Sequence, residues 1–116
     1  MKRGTTFKGK VFLFEGDLTS SLTIYPVDND GSPTGIKVNI DRVTIELVKK
    51  TIGDKGTIQM GACRDNPAKH SLGELLYSKK KSPQWLSYIL PLLEEDNFIT
   101  HYKDGNAFWV KRKNNP

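Results

Sequence analysis

The chain has 116 residues, with 18 Lys+Arg against 13 Asp+Glu and a formal charge of +5, which suits one domain with a modest core and favours acidic partners such as nucleic acid. Cys63 is the single cysteine, which excludes an internal disulfide and a thiolate metal cluster and agrees with the reducing cytoplasm expected as its location. The longest apolar runs, residues 11–14 and 88–93, fall far below the roughly 20 residues of a membrane span. No apolar signal core follows Met1-Lys2-Arg3, so no secretory peptide is expected.

In chain order, residues 6–14 read as a buried strand ending in Val11-Phe12-Leu13-Phe14 and broken by Glu15-Gly16-Asp17. Residues 21–27 form a second strand, 28–35 a loop, and 36–40 a returning strand. Asp28 and Asp30 in that loop resemble part of a calcium-binding sequence. Its later bidentate glutamate is missing, with Ile40 and Asp41 standing downstream, so a polar hairpin tip is the better reading and no metal is expected.

Asp41 caps a helix over 41–52, with Ile40 stapled to Ile45 and a broad apolar face of Val43, Ile45, Leu47, Val48 and Ile52. Gly53 is its natural stop, and residues 56–60 form a short strand. Ser71-Leu72-Gly73-Glu74 is a capping box that opens a helix over 72–78, with Leu72, Leu75 and Leu76 on one stripe and Lys79-Lys80-Lys81 as the closing turn. Ser82-Pro83 restarts a helix over 83–95. Leu86, Ile89, Leu90 and Leu93 share its buried face, and Pro91 predicts a kink after Tyr88. Asp104-Gly105 then predicts a type I′ hairpin over 98–112.

Helix, strand, helix, helix and hairpin in this order resemble a winged helix-turn-helix DNA-binding domain over residues 41–113. Leu92-Leu93-Glu94-Glu95-Asp96-Asn97-Phe98-Ile99 looks like the end of the recognition helix and the entry to the wing in bacterial winged-helix regulators. The expected fold class is therefore α+β, a winged helix-turn-helix with an N-terminal β-strand extension at 1–40 and a tail at 114–116.

The resemblance implies non-catalytic binding of duplex DNA, as a transcription regulator or as the DNA-reading part of a processing system. Phosphates would meet Lys79, Lys80 and Lys81 in the turn before the recognition helix, and Lys103, Lys111, Arg112 and Lys113 in the wing. Ser82, Gln84, Ser87 and Tyr88 would be available to base edges or backbone, with Gln84 suited to adenine. Gln84 and Tyr88, four apart, should both be exposed. Tyr102 and His101 alternate on one wing strand, so one of them, with His101 the candidate for DNA contact, should face outward near the tip. Such a regulator generally binds as a homodimer, and residues 6–40 are available for that contact.

Catalytic signatures are absent: there is no G-x-S-x-G, P-loop or dinucleotide motif. Cys63-Arg64-Asp65 near His70 can be drawn as a nucleophile and base, but a loop cysteine beside an Arg-Asp pair is the commoner arrangement. No catalytic residue, metal or cofactor is expected. A protein-interaction or assembly module on the same scaffold is the alternative, and single-stranded nucleic acid stands third, through aromatic stacking.

Overall fold

A computed structural model describes residues 1–63 and 66–113; Arg64 and Asp65 of the cysteine cluster, and the tail at 114–116, lie outside them. The element order is β1 (Lys2–Thr5), β2 (Val11–Gly16), β3 (Leu22–Pro26), β4 (Val38–Ile40), α1 (Arg42–Lys55), β5 (Thr57–Gln59), α2 (Leu72–Ser78), a 3₁₀ turn (Pro83–Trp85), α3 (Leu86–Glu95), β6 (Ile99–Asp104) and β7 (Ala107–Arg112). The class is α+β. Strands β1 to β4 form an antiparallel meander, and the remaining three form an antiparallel sheet in the order β5-β7-β6.

The stretch expected as one strand over 6–14 is a hairpin tip followed by a strand. Gly9, at φ +87°, lets the chain reverse between Lys8 and Lys10, and Thr6 N–H donates to Lys10 O at 2.8 Å while Gly9 N–H donates to Thr6 O at 2.9 Å. Strand β1 carries no apolar alternation of its own. It is held by pairing with β2, where Gly4 lies opposite Phe12 and an added Cβ would collide with the Phe12 ring, so the aromatic covers the surface that a side chain would otherwise fill.

Alternation in β2 and β3 sends Phe12, Phe14, Leu22 and Ile24 inward. They join Ile45, Val48 and Ile52 of α1, Leu72 and Leu76 of α2, Leu86, Ile89, Leu90 and Leu93 of α3, and Ile58, Ile99 and Val110 of the second sheet in one continuous core. The first forty residues therefore share their core with the helices.

Helix α1 starts as expected: Asp41 accepts from Thr44 N–H at 3.1 Å and from the Thr44 hydroxyl at 2.7 Å. It runs past Gly53 to Gly56, whose N–H bonds Ile52 O at 2.8 Å. Two contacts carry it over the glycine, a Lys50–Asp54 pair at 2.9 Å and the Arg112 guanidinium donating to Gly53 O at 2.7 Å. Its buried face is Thr44, Ile45, Val48 and Ile52, while Val43, expected on that face, is 73% exposed. Two residues before Ile45, it lies off the stripe that the core covers.

Helix α2 keeps its expected bounds. Glu74 N–H bonds the Ser71 hydroxyl at 3.1 Å, but the Glu74 carboxylate accepts from His70 N–H at 3.0 Å, one residue before the cap, because Ser71 N–H already bonds Ala68 O. Helices α2 and α3 both end in Schellman geometry. Lys81 N–H bonds Leu76 O with Lys80 at φ 61°, and Phe98 N–H bonds Leu93 O with Asn97 at φ 63°. The capped restart at Ser82 begins as a 3₁₀ turn, and α3 then continues through Pro91 without a break. In the hairpin, Asp104 pairs with Ala107, so the turn is Gly105-Asn106 and not Asp104-Gly105. Only Gly105 of the pair has positive φ, at 62°, the pattern of a glycine-first type II′ turn and not the expected I′.

Candidate functional site

Helix α3 lies between the two sheets. Its inner side supplies Leu86, Ile89 and Leu93 to the core, and on another side Pro91 and Leu92 are also buried. Tyr88, expected to be exposed, is half-buried with its ring edge-on to Phe12 of β2, centroids 5.1 Å apart. Desolvation there pushes the Tyr88 hydroxyl above the usual tyrosine range. Gln84 is exposed as expected, and Ser87 is half-buried.

The basic residues fall into separate groups. Lys79 and Lys80 are exposed in the turn after α2, while the Lys81 ammonium lies 3.6 Å from Asp41 at the start of α1 and 5.8 Å over the Trp85 ring. Ser82 is engaged as a cap, accepting from Gln84 N–H at 3.3 Å. Arg112 is tied to Gly53 near the other end of α1, roughly 18 Å along the helix axis from Asp41 at 1.5 Å per residue. Lys113 donates to Asn97 Oδ1 at 3.3 Å, and Lys111 is exposed. The turn lysines and the hairpin-base cations thus sit at opposite ends of α1.

His101 is half-buried where the hairpin meets the β1–β2 tip. Its Nδ1 lies 2.7 Å from Glu94 Oε2, and its ring stacks on Phe7, centroids 3.8 Å apart and planes within 8°. Tyr102 is the exposed neighbour, at 46%, directly opposite Trp109 in the register. Lys103 is exposed, with its ammonium 5.6 Å over the Phe108 ring.

Gln84, Ser87 and Tyr88 do converge on one feature, a cleft of about 840 Å³. One wall is the β1–β2 tip with Phe7, Lys8 and Lys10; another is the β6–β7 tip with Asn106 and Phe108; and Gln59 and Asn66 lie between. The volume lies in the range of ligand-binding clefts, and the mix of apolar surface with a few polar groups is typical of them. Pro91 has no N–H, so the carbonyl of Ser87 cannot receive its helical i+4 bond.

Comparison with known protein families, curated proteins and solved structures finds no match to this chain. The site therefore rests on its own geometry. Sequence reading missed Lys8, Lys10, Gln59, Asn66 and Asn106. A signal existed only for the first two: Lys8-Gly9-Lys10 places a turn residue between two cations inside what reads as one strand. Among the described residues no group of three His, Cys, Asp or Glu side chains is arranged to hold a metal. Cys63 is exposed at the cleft's edge. In the 28–35 loop, Asp28 accepts from the N–H groups of Asp30 and Ser32 at 3.1 and 2.9 Å. No helix among the described residues is long and apolar enough to cross a membrane.

Proposed function

We propose that the chain is a non-catalytic DNA-binding module on a winged-helix scaffold, holding phosphates through exposed lysines and presenting only the 3₁₀ turn before α3 and the first turn of that helix to bases. The connectivity α1–β5–α2–α3–β6–β7, with β5 paired to β7 in a β5-β7-β6 sheet, is what a winged helix requires and supports the scaffold. The observation that carries the binding reading is the shared cleft, where Gln84 and Ser87 of the expected reading helix meet Lys8 and Lys10. Because Pro91 and Leu92 are buried and Tyr88 is packed on Phe12, α3 cannot lie full-length in a major groove about 12 Å wide, which admits a bare helix. Base contact is confined to Gln84 and Ser87, near the positive end of the helix dipole.

A second reading, a protein-assembly module, is favoured by the exposed Tyr102 opposite Trp109 on the outer face of the second sheet, since aromatic residues are enriched at protein interfaces. Titration of a labelled random duplex at several salt concentrations separates the two. DNA binding predicts affinity that falls steeply as salt rises, because lysines displace counterions. No binding even at low salt overturns the DNA reading in favour of assembly.

A further inference from the structure

We propose that the cleft between the β1–β2 tip, the N-terminal turn of α3 and the β6–β7 tip receives an unpaired nucleotide of single-stranded nucleic acid. This rests on the nucleic-acid reading above and names the substrate of the same site.

The chemistry of the lining supports a nucleobase more than a peptide or a duplex. A base needs an apolar surface for its flat face, and Phe7, Phe108 and Tyr88 line the cleft. The base edge carries donors and acceptors together, and the amides of Gln59, Asn66 and Gln84 offer both kinds from one side chain. Lys8 and Lys10 stand exposed on the tip that carries Phe7, so a phosphate attached to a nucleotide in the cleft meets two cations. Asp104 is the only acidic residue among the described ones lining it, which leaves the cleft with a positive balance. Its volume of about 840 Å³ is on the scale of a small ligand.

The walls are braced by contacts that no ligand supplies. Phe7 stacks on His101, which is itself bonded to Glu94, and Phe7 lies 5.7 Å from Phe108. The two tips are therefore fixed relative to α3 before binding, which reduces the ordering cost of taking up a flexible strand.

The test is fluorescence anisotropy with a labelled single-stranded 12-mer and with the blunt duplex of the same sequence, for the wild type, the double variant Lys8→Ala/Lys10→Ala, and Gln84→Ala. The wild type is expected to bind the single strand about tenfold tighter than the duplex, an effect the size of one stacked base. The double lysine variant should lose most of that preference and lower the salt slope on the single strand by up to about 1.4, at about 0.7 per phosphate, with a smaller loss of affinity for the duplex. Gln84→Ala should weaken base preference in homopolymer competition. Lys8, Lys10 and Gln84 are exposed, and circular dichroism melting verifies that the variants stay folded. Equal affinity for duplex and single strand, or variants that weaken both alike, overturns the cleft assignment while DNA binding stands. Absence of binding to either at low salt overturns both.

Discussion

Tyr88 stands edge-on to Phe12, ring centroids 5.1 Å apart and planes at 75°, and this contact joins α3 to the first sheet. Edge-to-face pairs contribute about 0.5–1.5 kcal/mol beyond their buried area. Phe12 also closes over Gly4, so one ring fixes β1, β2 and α3 together. A helix that would be open on one side in a bare three-helix unit is here enclosed. On the proposed reading, the groups left for binding are those of its first turn, the 3₁₀ turn before it and the two hairpin tips.

Tyr88 and Gln84 should accordingly part company under mutation. Tyr88→Ala removes a half-buried ring and its Phe12 contact, and is expected to cost about 1–3 kcal/mol, below the range for fully buried aromatics. Gln84→Ala, at an exposed position, should stay within about 0.5 kcal/mol. Urea unfolding of the two single variants measures this. Equal small effects would mean that α3 is open on the Tyr88 side.

Gly73 and Gly53 are both helical glycines, yet alanine should act on them in opposite directions. At Gly53 an added Cβ meets nothing within 4 Å, so Gly53→Ala should stabilise by about 0.5–1 kcal/mol through helix propensity. At Gly73 the Cβ would run into the Gly61 carbonyl, where the chain leaving β5 crosses the start of α2 and Gly73 N–H donates to Met60 O at 2.8 Å. Gly73→Ala should destabilise by about 1–3 kcal/mol, the usual cost of overpacking. Thermal melts of both variants give the signs directly, and stabilisation by Gly73→Ala would place the crossing elsewhere.

The elements legible in the sequence are those whose signals are local. Ser71 as a cap, the Leu72–Leu76 stripe and the polar turn lie within one short segment, and α2 has the expected bounds. Where a distant partner decides the outcome, local reading fails. Gly53 reads as a stop, but Arg112, brought in by β7, bonds its carbonyl and the helix continues. Strand β1 has no pattern of its own because Phe12 supplies its apolar cover. The helical-face argument for Tyr88 assumed one packing partner for α3, and the first sheet is a second. The cleft is the extreme case, since Lys8, Gln59, Asn66, Gln84 and Asn106 come from five separate segments.

Acid sensitivity should be traceable to Asp41. Burial raises its carboxyl pKa, but bonds from the Thr44 hydroxyl and N–H, its own backbone, and the nearby Lys81 charge outweigh that, leaving it below the usual aspartate range. A folded-state pKa depressed below the unfolded value of about 3.9 means that the stabilisation is fully present above about pH 4. It is lost as pH falls through the folded pKa. Asp41→Asn keeps a capping acceptor and removes the titration, so its urea midpoint should fall less than that of the wild type between about pH 5 and 2. Parallel declines would assign the acid limb to other carboxylates, such as Asp17, which is also lowered by its Thr19 and Ser20 bonds.

Lys80 offers a test of phosphate contact that cannot be mistaken for unfolding. It occupies the left-handed position of the Schellman turn after α2, φ 61°, where glycine is the usual occupant because any Cβ is strained there. Lys80→Gly should therefore raise stability by up to about 1 kcal/mol, a sign opposite to that of most substitutions. If the Lys80 ammonium neutralises a phosphate, the same variant lowers the salt slope for duplex by about 0.9 and weakens all sequences alike. Lys81→Ala is a poor substitute, because Lys81 is engaged with Asp41 and Trp85 and its removal perturbs the α1 cap. Melting and salt-dependent titration on one preparation of Lys80→Gly read both quantities. A higher midpoint with an unchanged slope would remove this turn from the proposed DNA-binding surface, leaving the hairpin base and the β1–β2 tip as the candidates for phosphate contact.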